Sequence, residues 1–507
     1  MLKSRLFHQM IFNIHSRKLT VYPDSERVFV HLFGSQPTAF WLDSSRVEPG
    51  LSRFSFMGDG TGPNSLLVQY SITDQKLTIN CSGQTTHRRE SIFSYLHREL
   101  ERRYNCLEGL PFDFNCGFVG YFGYELKAEC GGNIVHQSQF PDAMFLLADR
   151  IIAFDHQEQV TYLLCLTKKG ETEQTNAWFE GIEKQLCTLP PLPPIELDYT
   201  HRKVSFRLSR SYQRYLEDIQ ESLDQIKAGE SYEICLTNKI YANIELDPLA
   251  FYRRLRQLNP APYSAFLKFG ELAVACSSPE RFLKIDPSGW VESKPIKGTA
   301  ARGQTEEEDR LLCEALRTQE KNRCENIMIV DLLRNDLGRV CEIGSVHVPK
   351  LMDVETYATV HQLVSTIRGR LRPDVRVGDC IRATFPGGSM TGAPKISTME
   401  IIDRLELQAR GIYSGAIGFL ALNGAADLNI VIRTAEITPN QVSIGIGGAL
   451  IALSNPQLEF EETLLKAEAL VRGIVYTVCG EFSPELFEIV DTPVAKSRDY
   501  SEGFLRV

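Results

Sequence analysis

Lys297 lies in the segment Pro295-Ile296-Lys297-Gly298-Thr299, among small and apolar residues and beside a glycine. Loss of water at such a position disfavours the ammonium form, and a neutral amine is a nucleophile. Most lysines are solvated surface charges, so the pentapeptide alone also reads as a surface turn. Acids accompany it. Glu280 closes Cys276-Ser277-Ser278-Pro279-Glu280, where a carboxyl group at a strand end beside a pocket could act as a general acid. A solvated turn is the plainer reading. Glu325 and Glu462 fall on two predicted helices far apart in the chain. Carboxylates converging from separate elements, completed by water and substrate oxygens, are how Mg²⁺ is usually held. Two solvated helix charges explain them as well, and Glu462 with Lys466 has the i, i+4 spacing of a surface ion pair.

Other segments could hold an anion beside these groups. The stretch ATFPGGSMTGAPK, Ala383 to Lys395, includes Thr391 and Gly392, and its small residues would let backbone N–H groups approach a ligand. Gly445-Ile446-Gly447-Gly448 offers the same opportunity. In both cases a structural turn is the alternative. Arg433 stands in the strand-like run IVIRTAE. A charge inside an apolar run usually has a partner, and arginine suits bidentate carboxylate recognition. Tyr413 could donate a hydroxyl hydrogen bond to the same ligand or simply belong to the core.

These residues must be carried by both helices and strands. Ser211 caps a predicted helix with Tyr212, Tyr215, Leu216, Ile219, Leu223 and Ile226 on one face and Gly229 as its stop. Thr305-Glu306-Glu307-Glu308 opens another helical stretch, broken or continuous, that runs to about Arg334. Residues 28–33, 151–154, 415–422, 429–434 and 442–451 read as strands. Gly117 to Tyr124, rich in glycine and aromatics, suggests bends or close backbone packing. The prolines of TLPPLPPIEL, Pro190 to Pro194, mark an extended connector between an N-terminal region, 1–200, and a second region, 205–475. A C-terminal tail, 476–507, follows. The mixture predicts an α+β chain with helices packed on largely antiparallel sheets.

Composition narrows the function classes. The chain has 507 residues, 43% hydrophobic and 23% charged, an ordinary globular balance. A net charge of −9 argues against a general nucleic-acid binder. No apolar run reaches the roughly 18 residues that cross a bilayer, so no membrane role is expected. The 13 scattered cysteines contain no CxxC pair and read as reduced thiols. A cytoplasmic location is therefore expected. The basic segment Met1 to Pro23 has the charge of an organellar leader, but a basic N-terminal strand or tail is the favoured reading.

The strings SSPERF, PIKGTAARG, ENIMIVDLLRNDLGRV, ATFPGGSMTGAPK, IYSGAIGF, IRTAE and FEETLLKAEAL occur in this order between about residues 208 and 474. The chain resembles the chorismate-utilising enzymes, which include the large subunits of anthranilate synthase and aminodeoxychorismate synthase. FWLDSS, RFSFMG and GFVGYFGYE extend the resemblance into the N-terminal region. The implied fold is anthranilate synthase component I-like: two large, mostly antiparallel β-sheets packed face to face with helices outside. Lysine in PIKGT, where anthranilate synthases typically carry alanine, points to the aminodeoxychorismate synthase branch. GESYEICLT, VPKLMDVETYATVHQLVST and IALSNP look most like plant-type and cyanobacterial members.

The resemblance implies amination of chorismate to 4-amino-4-deoxychorismate, for p-aminobenzoate and folate synthesis. Lys297 would be the nucleophile and Glu280 the acid. Glu325 and Glu462 would hold Mg²⁺, and Thr391, Gly392, Tyr413, Arg433, Gly447, Gly448 and Lys466 would bind substrate. Ammonia would come from a separate glutamine amidotransferase subunit, since no segment reads as a glutaminase. A tryptophan site is implied near Asp43, Ser44, Pro262 and Tyr263, where an ordinary hydrophobic core is an equal reading; Asp43 replaces a frequent glutamate. Two further departures stand out. Asn322 occupies the place of a frequent carboxylate, and Gln362 that of a histidine, with His361 just before it. Two alternatives stand beside this reading: an anthranilate synthase component I, or a catalytically silent paralogue that binds tryptophan or a subunit, which Asn322 and Gln362 favour.

Overall fold

The computed structural model describes residues 12–48, 51–195, 203–357 and 360–491. Two sheets of 13 and 12 strands form the body. Apolar side chains from both sheets meet between them, among them Phe40, Phe56, Leu267 and Val274 from the first and Val119, Tyr121, Leu146 and Phe419 from the second. Helices cover the outer faces. Val28, Phe251, Ile402 and Val471 lie over the first sheet, while Phe93, Ile329 and Ile381 lie over the second. This is the face-to-face α+β arrangement that the motifs imply.

Neither sheet stops at the proline-rich connector. Thr38–Asp43 pairs with Tyr263–Phe269 in the first sheet, and Gly117–Phe122 pairs with Ala416–Ala421 in the second. The pairings among the described residues are antiparallel except that of Val204–Leu208 with Phe487–Val490. That parallel pair makes residues 487–490 part of the first sheet, so the expected tail beyond 475 is structured through Asp491: helix Glu468–Cys479, then a strand. Residues 492–507 lie outside the described residues. At the other end, Phe12–Leu19 is a strand paired with Val160–Lys168, in keeping with the strand reading of the basic segment from residue 12 onward.

The capped helices form as their sequences predict. Ser211 accepts from the Arg214 amide at the head of Tyr212–Lys227, and Thr305 accepts from the Glu308 amide at the head of Glu306–Thr318. Gln319 then turns extended and a second helix runs Glu320–Gly338. Two expectations change. Residues 28–33 are not a strand: 28–32 belong to the helix Ser25–Leu32, and Phe33 is its C-cap. Asp24 caps it by accepting the Arg27 amide, and Val28 and Phe29 are fully buried on one face. The span 429–434 is not one strand either. Ala426–Ile430 belongs to the second sheet and Thr434–Thr438 to the first, and the chain crosses between them through Arg433, whose φ is +52°. An apolar run buried in both sheets looks the same in sequence as one continuous strand.

All 13 cysteines are free. Among the described residues no helix is long and apolar enough to cross a membrane.

Candidate active site

Lys297 sits on the strand Ile296–Ala301, whose register against Val360–Arg370 shifts between Ile296 and Thr299. Gly298 takes φ +96° at this irregularity. A side chain there would also strike Asn322, 2.6 Å from its Nδ2, so glycine is needed for both conformation and space. Lys297 is 7% exposed, and its Nζ donates to Glu233 Oε1 at 2.7 Å. Glu233 opens the central strand Glu233–Ala242 of the first sheet and is fully buried. Its other oxygen, Oε2, has no hydrogen-bond partner among the described residues.

The proton state of Lys297 departs from the sequence expectation. Burial does push the ammonium toward the neutral form, but Glu233 and Glu325 outweigh it and hold the lysine pKa above its ordinary value. The two acids thus favour the ammonium form of the resting side chain. Burial likewise lifts Glu233 above the usual carboxylate range against the pull of Lys297.

Glu280, between strands Leu272–Ser278 and Arg281–Ile285, is also buried. Burial pushes its carboxyl up to about 7, opposed by Ser389, Lys297 and the Ile296 amide. Near neutrality it can therefore give a proton, as a general acid must. Ser389 brings the Ala383–Lys395 stretch to the site. Within that stretch, the Thr391 hydroxyl donates to the Gly387 and Gly388 carbonyls, and its own carbonyl accepts from the Cys235 amide. Gly392, at φ +143°, comes so close to the Glu233 strand that an added Cβ would stand 1.8 Å from the Glu233 carbonyl. The stretch thus fixes the head of that strand, while Lys395 ties it to Asp336, Thr384 and Pro386.

Glu325 lies on Glu320–Gly338 and Glu462 on Pro456–Leu465. Lys321 Nζ stands between these helices, 3.7 Å from Glu325, 2.6 Å from Glu459 and 3.8 Å from Glu462. Burial pushes Glu325 up to about 7, with Lys297 opposing and Glu233 adding to the rise. Glu462 pairs with Lys466 at 2.8 Å, and the lysine also donates to the Gly447 carbonyl at 3.0 Å. Burial raises the Glu462 pKa, but Lys466, Lys321 and Lys297 together bring it below the ordinary value. The i, i+4 pair is real, and it sits at the site rather than on a remote surface. No group of three metal-ligating side chains among the described residues forms a ready cage. The donor set is two facing carboxylates with a cation already drawn between them, a chemistry that fits Mg²⁺ completed by water and substrate oxygens.

Gly447 and Gly448 lie on Gln441–Leu450, opposite Thr237 and Leu236. A Cβ on Gly447 would meet the Leu236 carbonyl at 2.5 Å, whereas one on Gly448 would face Lys466 and Glu459 at 3.5 and 3.6 Å. Gly447 therefore serves strand packing, and Gly448 leaves room over the charged groups. The buried Tyr413 ring lies against Gly445, where a Cβ would come within 2.0 Å of it. Arg433, expected inside a strand with a partner, lies at the crossing between two strands. It forms no ion pair among the described residues. Burial lowers its pKa, with Tyr413, Glu462 and Glu468 pulling the other way. A desolvated, unpaired guanidinium is suited to a carboxylate ligand.

The sequence departures are also placed. Asn322 donates to Gln319 Oε1 at 2.7 Å. His361 is held by Asp309 at 2.9 Å and Thr356 at 2.8 Å, and Gln362 points to the opposite face of the strand. Asp43, Ser44, Pro262 and Tyr263 line a separate cavity of about 540 Å³. There Asp43 already accepts from Arg256 at 2.9 Å and Tyr252 at 3.1 Å, and Ser44 donates to the Phe54 carbonyl. The Tyr263 hydroxyl has no partner among the described residues.

Glu233, Lys321 and Glu459 were not singled out in sequence. Their only signals were an acid opening the apolar run EICL, and charges spaced four and three residues from Glu325 and Glu462.

A family profile described as chorismate binding enzyme matches residues 59–472. The chain belongs to this family. It is 48% identical over 469 residues to an aminodeoxychorismate synthase of Streptomyces pristinaespiralis, a match covering 91% of this chain and 65% of that protein. Anthranilate synthase component 1 of Thermus thermophilus is 33% identical over 459 residues, covering 89% of this chain and 95% of that protein. In structure the chain is similar to anthranilate synthase component I from Streptococcus pneumoniae, with a TM-score of 0.71 at 28% identity, covering 84% of this chain and 94% of that one. The chain thus spans just under two thirds of the Streptomyces chorismate-binding relative, but nearly the whole of the two anthranilate synthase components.

Proposed function

We propose that this chain aminates chorismate to 4-amino-4-deoxychorismate, using ammonia delivered by a separate glutamine amidotransferase subunit. The observation that carries the reading is Lys297: a primary amine sealed in a buried site beside Glu280, an acid poised near neutrality. The greater likeness to aminodeoxychorismate synthase than to anthranilate synthase supports the same branch.

The residues divide the work. Arg433, largely desolvated and without an ion pair among the described residues, binds a carboxylate of the substrate, and Lys466 adds positive charge beside Gly448. Glu325 and Glu462 would hold Mg²⁺, which when bound neutralises the ring carboxylate. The Lys297 nitrogen pair bonds to the ring carbon next to the carboxylate-bearing one. The ring double bonds shift, and the hydroxyl C–O bond breaks with its electrons. Glu280 protonates that oxygen, so water leaves. Ammonia then bonds where the hydroxyl was, the double bonds shift back, and the bond to Lys297 breaks. Without the lysine, ammonia would attack the ring carbon itself and place nitrogen ortho to the carboxylate.

The test is mass spectrometry of the product formed from chorismate, ammonium and Mg²⁺ by this chain without a partner. The expected product is 4-amino-4-deoxychorismate. Anthranilate as the main product would overturn the proposal in favour of the neighbouring activity, and absence of any turnover would favour a silent paralogue.

A further inference from the structure

We propose that Glu233 is the proton acceptor for Lys297: its carboxylate takes the ammonium proton as the lysine nitrogen bonds to the ring, and gives it back when that nitrogen leaves. The inference rests on Lys297 being the nucleophile and supplies what that reading lacks, a path for the proton that keeps the amine unreactive.

Geometry singles out this acid. Glu233 Oε1 is 2.7 Å from Lys297 Nζ, the reacting atom. Glu233 is fully buried and Lys297 nearly so, so bulk water is a poor acceptor. The position is rigid, because Gly392 clamps the head of the Glu233 strand at a distance no side chain would permit.

The hydrogen bonding of Glu233 differs from that of the structural acids nearby. Glu406 accepts from the Thr237 amide and hydroxyl and from Arg410. Glu436 accepts from the Ile412 and Tyr413 amides and from Ser443. Donors thus occupy both oxygens of each of these acids. Among the described residues the Glu233 carboxylate accepts only from Lys297, and its buried Oε2 has no partner. An anion left so poorly solvated has much to gain from a proton. Glu280 and Glu325 also influence Lys297, but Glu280 bonds Ser389 and serves the departing hydroxyl, and Glu325 faces Lys321. Burial raises the Glu233 pKa although Lys297 pulls it down, in accord with a carboxylate more basic than a solvated one.

The steps balance. An N–H bond of the ammonium breaks and an O–H bond forms on Glu233, while the freed pair makes the carbon–nitrogen bond. Glu280 loses its proton to the leaving hydroxyl. In the second half, the pair of the breaking carbon–nitrogen bond returns to Lys297, which recovers its proton from Glu233. The new ring ammonium gives one proton to Glu280, and both acids are restored.

The experiment compares the full chain with Glu233→Gln, Glu233→Asp and Lys297→Ala, using chorismate, ammonium and Mg²⁺. Acylation of Lys297 by a small N-hydroxysuccinimide ester, read by peptide mass spectrometry at pH 8, reports the free amine directly. Glu233→Gln should lower kcat by about 100-fold, with the chorismate KM changed by less than about threefold. It should also speed Lys297 acylation, since the amine loses the anion that holds it charged. Glu233→Asp should recover part of the turnover. Wild-type turnover or unchanged acylation in Glu233→Gln overturns the proposal. If that variant does not fold, Glu233→Ala decides, and wild-type turnover there overturns it equally. Full aminodeoxychorismate formation by Lys297→Ala would instead defeat the nucleophile itself. An inactive Lys297→Ala beside a normal Glu233→Gln would leave the nucleophile standing and remove only the role of Glu233.

Discussion

Burial by itself pulls the Lys297 pKa down, and the two acids facing it reverse the direction. The sequence showed an amine in apolar company but not its counter-ion, because Glu233 lies 64 residues away and meets it only through the packing of two sheets. Glu280 shows the opposite balance, burial winning over its donors and raising it from 4.5 to about 7. The sign of its pH effect follows. The folded state holds this proton more tightly than the unfolded chain, so the related stability is fully present below about 4.5 and fades as pH rises through about 7. The same ionisation removes the proton that the leaving hydroxyl needs. We expect the rate of hydroxyl loss, followed in single turnovers with chorismate, to fall as pH rises from 6 through 8. Glu280→Gln should lower that rate by about 100-fold and flatten the decline. A wild-type profile that stays level across this range would remove Glu280 from the acid role.

At the scale of the element, the irregular strand Ile296–Ala301 aims the nucleophile. Gly298→Ala would place an ordinary residue at φ +96° and press its Cβ against Asn322 and Leu316. Left-handed backbone costs a non-glycine residue roughly 1–2 kcal/mol, so we expect a lower melting temperature together with reduced amination. Adding Asn322→Ala separates the causes. It should relieve the side-chain contact but leave the backbone strain, recovering only part of the loss. Complete recovery would mean that backbone conformation contributes nothing here. This strand was legible only as a motif, whereas the capped helices after Ser211 and Thr305 announced both position and end. Misreadings came where one local pattern serves two structures. Residues 28–33 are β-branched and aromatic, yet the Asp24 cap and the packing of Phe29 on Trp41, 5.1 Å between ring centroids, make them helical. Within 429–434 the stretch Ile430-Val431-Ile432 is apolar because it passes from one buried sheet to the other, and Arg433 at that crossing forms no ion pair among the described residues.

Across the whole molecule, the proline-rich connector divides the sequence but not the structure. Composition placed the boundary because prolines are local signals, while strand partners hundreds of residues apart leave no local trace. Cutting the chain within 196–202 would leave Thr38–Asp43 without Tyr263–Phe269 and Gly117–Phe122 without Ala416–Ala421. It would also open the core between the sheets, where Phe114 stacks on Phe419 at 4.4 Å. Each half would then expose unpaired central strand edges and apolar faces, a combination that drives aggregation. We therefore expect a fragment ending near 195 and one beginning near 203 to be poorly soluble when made separately. Produced together, they should co-purify as a complex that melts in one transition and retains ammonium-dependent turnover. The second fragment carries every residue placed in the chemistry, from Glu233 to Lys466, and so provides the critical control. If it alone melts cooperatively and turns over chorismate, the shared sheets are dispensable to the site, and the first region is an accessory rather than half of the scaffold.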